Sequence, residues 1–197
     1  RLFREAGWGT TIATPGGVAP TLDELSLGVA GGMPKRRKEI RAYLDSIKQE
    51  LDHPLALDTV DESDYDLVFY PGGHGPMEDL AVDPVSGTLL VRRLDSGQPL
   101  ALLCHAPAAI LAATRDDGSN AFVGRTMTGL SNVEERFNPF AWKAKWLLQD
   151  ALVDAGVDCD KGMLPMRPHV VVDGNLYSGQ NPQSAGALAE RILADLS

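Results

Sequence analysis

Residues 100–110, LALLCHAPAAI, place an apolar run directly before an adjacent cysteine and histidine, Cys104 and His105. The run PLALL (99–103) predicts a buried strand, and the alanine-rich residues after the pair predict a short helix. A nucleophile at such a strand-to-helix corner sits above the sheet edge on a strained backbone. The helix that follows directs free N–H groups and partial positive charge at the sulfur, so we expect Cys104 to be a thiolate.

His105 has two roles open to it in this arrangement. Its ring either adds a positive charge beside the sulfur or acts as the general base of a nucleophilic reaction. The alternative is structural: Cys104 is a small buried residue at a strand end, and His105 begins the helix.

A glycine-rich loop follows a second predicted strand. The segment DYDLVFYPGGHGPMEDL (64–80) contains a strand at 67–70 and then Gly72, Gly73 and His74. Glycine lets a backbone approach a ligand closely, so the N–H of Gly73 and that of His105 would form a two-donor oxyanion hole over Cys104. The alternative is a tight turn without a ligand.

The rest of the chain alternates between helical and strand-like patterns. The sequence predicts strands at 10–14 and 67–70, a hairpin over 169–179, and helices within 32–51, 85–98, 139–155 and 182–196. Apolar strands that alternate with helices indicate an α/β fold with a mostly parallel sheet covered on both faces. Reactive groups gather at the carboxyl ends of such strands, which is where the Cys-His pair and the glycine loop lie.

Composition bounds the function. The 197 residues predict one domain, 1–197, and the net charge of −9 argues against a nucleic-acid partner. The basic cluster KRRK (35–38) is expected to be a solvated helix face. No apolar run reaches the roughly 20 residues that a membrane span needs. Two cysteines favour a reducing compartment, so we expect a cytoplasmic protein.

Several stretches resemble one known family. LVFYPGGHGPMEDL (67–80) and ALLCHAPAAIL (101–111) are similar to the class I glutamine amidotransferase-like superfamily, and most similar to its PfpI-type branch, which includes glyoxalase III-like heat-shock chaperones. The similarity extends to TGLSNVEERF (128–137), HVVVDGNLYSGQNPQSAG (169–186) and EAGWGTTIATPGGVAPTLDELSL (5–27).

This resemblance implies a flavodoxin-like three-layer sandwich with a nucleophile elbow, a small helical cap over 30–52 and a homodimer. It also implies functional residues of three kinds. The implied residues are the nucleophile Cys104 with its partner His105, the oxyanion and substrate-binding residues Gly72, Gly73 and His74, and Glu134 on the substrate side.

The chain departs from the family pattern at two places. Glutamine amidotransferases carry a distant His-x-Glu pattern, whereas His169 is followed here by VVVD (170–173), which argues against glutamine hydrolysis. The family also has a first strand, followed by a turn with an acidic residue close to the cysteine. The sequence begins inside the next helix, so we expect that strand and that acid to precede Arg1.

The resulting functional hypothesis is a glutathione-independent glyoxalase that converts methylglyoxal, a small aldehyde, to lactate through a hemithioacetal on Cys104. It requires no cofactor and no metal, since His74 and Glu78 lack an accompanying metal-binding motif. Two alternatives stay open, a redox-sensing stress chaperone without catalysis and a cysteine-dependent hydrolase of amides or peptides.

Overall fold

The strand that precedes the Cys-His pair lies inside a four-stranded sheet. The computed structural model of the chain describes residues 1–22, 33–137 and 145–197. Leu100, Ala101 and Leu102 of this strand are fully buried. Burial on both faces is what the uninterrupted apolar run predicts, so the strand expected at 99–103 is confirmed to within one residue.

The described residues form eight strands, eight α-helices and six short 3₁₀ helices. The strands are β1 Ala13–Thr14, β2 Leu55–Ala56, β3 Val68–Tyr70, β4 Leu100–Leu103, β5 Thr126–Met127, β6 Asp158–Cys159, β7 Val170–Asp173 and β8 Leu176–Gly179. The α-helices are α1 Leu2–Glu5, α2 Pro34–Ser46, α3 Lys48–Asp52, α4 Gly75–Glu78, α5 Pro84–Asp95, α6 Asn132–Phe137, α7 Leu148–Asp154 and α8 Ala185–Leu196. The 3₁₀ helices are Pro15–Gly17, Leu57–Thr59, Glu62–Asp64, Leu80–Val82, Ala106–Ala112 and Pro182–Ser184.

The main sheet has the strand order β3-β4-β8-β7. Strands β3, β4 and β8 are parallel, and β7 pairs with β8 in the antiparallel direction. The predicted hairpin is confirmed, and Gly174 adopts a φ of +58° at its turn. The pairs β1–β2 and β5–β6 are parallel as well, so the prediction of a mostly parallel sheet is confirmed.

Helices cover both faces of this sheet. On one face, the Tyr70 hydroxyl of β3 lies 3.0 Å from the Ser86 hydroxyl of α5. Leu103 follows the register partner of Tyr70, so its side chain points to the opposite face. There it approaches Leu188 of α8, because a Cβ built on Gly179 would lie 2.8 Å from Leu103 and 3.2 Å from Leu188. The arrangement is a helix–sheet–helix sandwich.

Helix α5 is anchored at both ends. The Asp83 carboxylate caps its N-terminus by accepting hydrogen bonds from the N–H groups of Val85 and Ser86, at 2.8 and 3.2 Å. Near its other end, the fully buried Arg93 donates from Nε to the Pro99 carbonyl at 3.0 Å. The second contact ties the end of the helix to the entry of β4.

The structure divides into two compact units, Arg1–Val60 and Asp61–Ser197. In the first unit, β1 pairs with β2, and Arg4 forms an ion pair with Glu50. Helices α2 and α3 confirm the helical part of the segment predicted over 30–52, of which residues 30–32 lie outside the described residues. The cap role of this segment, the single domain over 1–197 and the homodimer stay predictions.

Three elements differ from their predicted form. Of the helix expected over 139–155, residues 139–144 lie outside the described residues, 145–147 are not helical, and α7 begins only at Leu148. The strand expected over 10–14 is limited to β1. The alanine-rich run 106–112 forms a 3₁₀ helix, packed so closely on α5 that a Cβ on Gly87 would lie 2.1 Å from the Ala112 carbonyl oxygen. Tertiary packing here overrides the α-helical propensity of alanine.

Helices of membrane-spanning length and hydrophobicity are absent from the part of the chain that the structure describes.

Candidate active site

Cys104 occupies the corner predicted for a nucleophile. It follows β4 directly and has a φ of +61°, a left-handed conformation that is strained for a residue with a side chain. Its N–H donates to the Gly179 carbonyl at 2.8 Å, and its own carbonyl accepts from the Leu130 N–H at 2.9 Å. These two hydrogen bonds hold the strained backbone in place, and they confirm the expected elbow geometry.

The backbone next to Cys104 requires glycine at positions 72 and 73 of the loop. A Cβ on Gly72 would lie 2.7 Å from the Cys104 Cβ and 2.9 Å from the Leu103 carbonyl oxygen, closer than real contacts allow. Gly73 has a φ of +112°, which residues with side chains rarely adopt. Glycine at both positions therefore brings the β3 loop against the cysteine.

The backbone N–H groups of Gly73 and His105 lie near enough to the Cys104 sulfur to lower the pKa of its thiol, against the larger opposing effect of burial. Two donors that converge on a nucleophile also lie close to where a negative oxygen develops after attack. The donor pair expected from the sequence is brought together in this structure, and its action as an oxyanion hole stays a prediction.

His105 bridges the sulfur and a carboxylate. Its Nδ1 lies 3.4 Å from the Cys104 Sγ, and its Nε2 lies 2.5 Å from Oε2 of Glu135. An ionised carboxylate can only accept, so Nε2 carries the proton and Nδ1 is left as the basic nitrogen facing the sulfur. The three residues thus form a relay with the arrangement that a nucleophile, a base and an orienting acid require, and these catalytic roles stay a prediction.

Glu135 is held ionised in a buried position. Its side chain is 2% exposed. Burial alone would raise its pKa, but hydrogen bonding and electrostatic attraction from His105 and His74 outweigh burial and lower the pKa to about 2. The carboxylate spans both imidazoles, since its Oε1 lies 3.4 Å from the His74 Nε2. The pairing of Glu135 with His105 was not predicted from the sequence.

The prediction that Cys104 is a thiolate is wrong. The residue is only 5% exposed, and burial raises the pKa of its thiol to about 12, although the N–H groups of Gly73 and His105 favour the charged form. The negative charges of Glu135 and Glu134 raise the pKa further. The resting Cys104 is therefore a neutral thiol, and an attack by its sulfur would require a base to remove the proton.

Glu134 has a different environment from its neighbour. Its carboxylate accepts five hydrogen bonds at 2.7–3.1 Å, and the donors are Ser131 through N–H and hydroxyl, the Met166 N–H, and the side-chain amides of Gln180 and Asn181. Burial would raise the pKa of Glu134, and these hydrogen bonds lower it. Such saturation favours a positioning role for α6, and contact with substrate stays a prediction.

His74 lies at the outer edge of the site. Its side chain is 54% exposed, and its ring centroid is 4.2 Å from that of His105. Together with Glu135 these rings form a group whose ligand atoms all lie within 4.8 Å of one another. Among the described residues, His74, His105 and Glu135 are thus the group whose side chains could hold a metal ion.

Two other residues singled out by the sequence lie apart from this relay. Cys159 is in β6, where burial first and the Asp158 charge second raise the pKa of its thiol to about 11. The His169 Nε2 lies 3.3 Å from the Asp160 carboxylate. His169 therefore has no part in the pairing of His105 with Glu135.

Comparisons with known proteins agree with this fold. The sequence profile described as "DJ-1/PfpI family" matches residues 1–195. The bovine "Glutamine amidotransferase-like class 1 domain-containing protein 1" is 27% identical, with 95% of this chain and 80% of the relative covered. The Staphylococcus aureus "Protein/nucleic acid deglycase HchA" is 26% identical, with coverages of 98% and 67%.

Among solved structures, glyoxalase III from Candida albicans superimposes with a TM-score of 0.84 over all of this chain and 84% of its own, at 23% identity. This likeness concerns the fold, and it confirms the flavodoxin-like α/β class expected from the sequence.

Proposed function

The chain belongs to the DJ-1/PfpI family, and from that premise we propose that it is a glutathione-independent glyoxalase that converts methylglyoxal to lactate. The observation that carries this proposal is the relay from the Cys104 sulfur through His105 to Glu135, with steps of 3.4 and 2.5 Å. The relative named a deglycase supports an enzymatic role as well.

The first step is addition of the Cys104 sulfur to the aldehyde carbon. His105 Nδ1 takes the thiol proton as the S–C bond forms, and the resulting imidazolium is stabilised by the Glu135 carboxylate. The former carbonyl oxygen becomes an alkoxide that faces the N–H groups of Gly73 and His105. It then receives the proton from His105, which gives a neutral hemithioacetal.

The second step moves a hydrogen between the two carbons. His105 removes the proton on the sulfur-bearing carbon, and the electron pair forms an enediolate with the neighbouring ketone. The hydroxyl proton then passes from the former aldehyde oxygen to the former ketone oxygen, so that the negative charge lies on the oxygen of the sulfur-bearing carbon. The same imidazolium returns the proton to the former ketone carbon. The product is a lactoyl thioester, so one carbon is oxidised and the other reduced without an external electron carrier.

The last step is hydrolysis. Water adds to the thioester carbonyl, the S–C bond breaks, and the thiol proton is restored to Cys104. The sum is methylglyoxal plus water giving lactate, and each protein group ends as it began.

The structure gives less support to the redox-sensing chaperone than to the cysteine-dependent hydrolase. Redox sensing depends on a thiolate, and a thiol whose pKa is about 12 gives little support to it. A cysteine hydrolase would use the same relay to form an acyl-enzyme, so it is separated from a glyoxalase only by its substrate.

The test uses the full-length natural protein mixed with methylglyoxal in the absence of glutathione, with lactate measured over time. We expect lactate from the wild type, none from Cys104→Ser, and a wild-type rate from the matched control Cys159→Ser. Failure of the wild type to form lactate would overturn the proposal. Release of amine from an amide panel that requires Cys104, without lactate, would instead favour the hydrolase.

A further inference from the structure

We infer that a divalent transition metal, with Zn²⁺ as the probe, binds between His74, His105 and Glu135 and blocks the relay. The sequence predicted no metal here, because the three residues come from separate segments of the chain. The fold places an exposed and a buried imidazole on either side of one carboxylate. Two imidazoles and a carboxylate are a common three-ligand set for zinc, with the fourth position open.

The ligand atoms of the three residues lie within 4.8 Å of one another and must move closer together to bind one ion. Zinc bonds of about 2.0–2.1 Å place neighbouring ligand atoms roughly 3.3 Å apart in a tetrahedron. The 3.4 Å between the His74 Nε2 and the Glu135 Oε1 already matches that spacing. The 2.5 Å between the His105 Nε2 and the Glu135 Oε2 must lengthen, because a metal replaces the proton that now joins these atoms.

Charge and access also favour a cation. Glu135 is 2% exposed, and a buried carboxylate gains from a positive ion beside it. His74 is 54% exposed at the outer edge of the group, so its imidazole offers an entering metal a first ligand from solvent. Exchange of ligand water for these donors then carries the ion inward.

Binding at this site would stop proton transfer without touching the sulfur. A metal on the His105 Nε2 leaves the single proton of the neutral ring on Nδ1, the nitrogen 3.4 Å from the Cys104 Sγ. Nδ1 is then a donor and is unable to accept the thiol proton. The inhibition rests on the proposed function, whereas the binding itself does not.

Calorimetric titration with ZnCl₂ tests the binding apart from any activity. We expect one zinc per chain in the wild type and in Cys104→Ser, since the sulfur is not a ligand. His74→Asn, at a half-exposed position that tolerates the change, is expected to weaken binding at least about 10–100-fold, the loss that even outer-shell changes cause. His169→Asn is the matched control, and it should bind zinc like the wild type.

Cobalt gives a second measurement on the same proteins. Co²⁺ bound to nitrogen and oxygen lacks the near-ultraviolet charge-transfer band of a thiolate ligand, and this band should be absent from the wild type. The inference is overturned if the wild type fails to bind zinc, if His74→Asn binds as tightly as the wild type, or if Cys104→Ser loses binding. Circular dichroism of each variant confirms that it is folded.

Discussion

Replacing Glu135 with glutamine is the sharpest test of the relay. The carboxylate accepts the Nε2 proton of His105 at 2.5 Å and so leaves Nδ1 basic toward Cys104. A glutamine has nearly the same shape, but its NH₂ group can donate to Nε2. The histidine proton then moves to Nδ1, where it faces the sulfur, and the base is lost.

The size of the loss follows from the state of the thiol. Because the pKa of Cys104 is about 12, the uncatalysed supply of thiolate at neutral pH is very small, and attack depends on the base. General-base catalysis contributes about 10²–10⁴-fold, or roughly 3–5 kcal/mol of barrier. We expect Glu135→Gln to lower kcat for lactate formation within that range.

The drop in kcat of Glu135→Gln should also depend on pH. As pH rises toward the pKa of Cys104, hydroxide itself generates thiolate, so the ratio of wild-type to variant rates should shrink. The matched control is Glu134→Gln at the neighbouring buried position, which does not reach His105. Its carboxylate accepts five hydrogen bonds that hold α6 in place, so this change should lower the melting temperature but leave the pH dependence of kcat like that of the wild type.

The reasoning would be refuted by a loss of less than about tenfold for a folded Glu135→Gln, since a general base contributes more than that. It would equally be refuted by a ratio that stays constant with pH. Steady-state kinetics on both variants, with thermal melts recorded in parallel, provides the complete set of measurements.

Four further outcomes are expected. Alkylation of Cys104 by iodoacetamide should accelerate about tenfold per pH unit up to about pH 10 without a plateau, as mass spectrometry would show, and a plateau below about pH 9 would contradict the raised pKa. Gly72→Ala should cost about 1–3 kcal/mol of unfolding free energy and lower activity, because its Cβ would lie 2.7 Å from that of Cys104; wild-type denaturant curves would argue against the close approach. Asp83→Ala should cost about 1 kcal/mol and lower the melting temperature by roughly 2–4 °C without changing kcat, through loss of the α5 cap. The pKa of Glu135 is lowered from 4.5 to about 2, so its contribution to stability is complete above about pH 4.5 and is lost as pH falls toward 2; acid unfolding of Glu135→Gln should lack this part of the profile.

The sequence was informative where local pattern and backbone geometry coincide. A continuous apolar run predicted β4, and the change from strand to helix at Cys104 predicted a strained corner, which its φ of +61° confirms. Glycines at 72 and 73 predicted a close approach of the loop, and the clearance at Gly72 bears this out. Each of these features depends on a few consecutive residues.

Features that depend on tertiary packing could not be predicted from the sequence. Glu134 and Glu135 are adjacent and equally buried, and neither spacing nor periodicity tells which one reaches His105. The available signal was an acidic pair within TGLSNVEERF (128–137), a stretch that resembles the family. The thiolate prediction for Cys104 weighed nearby dipoles without the burial that raises its pKa to about 12. The start of α7 at Leu148 likewise differs from the apolar periodicity.

Glu134 and Glu135 make the proposed reaction depend on whether the short helix α6 stays folded. Cys104 and His105 are consecutive and stay together whatever the rest of the chain does, but the acid comes from residue 135, thirty positions away. Because Glu134 fastens this segment to residues 166, 180 and 181, local unfolding of α6 would separate the acid from an otherwise complete pair. On heating, activity should therefore be lost at a lower temperature than the one at which the sheet unfolds. A bound substrate that orders α6 should raise the temperature at which activity is lost.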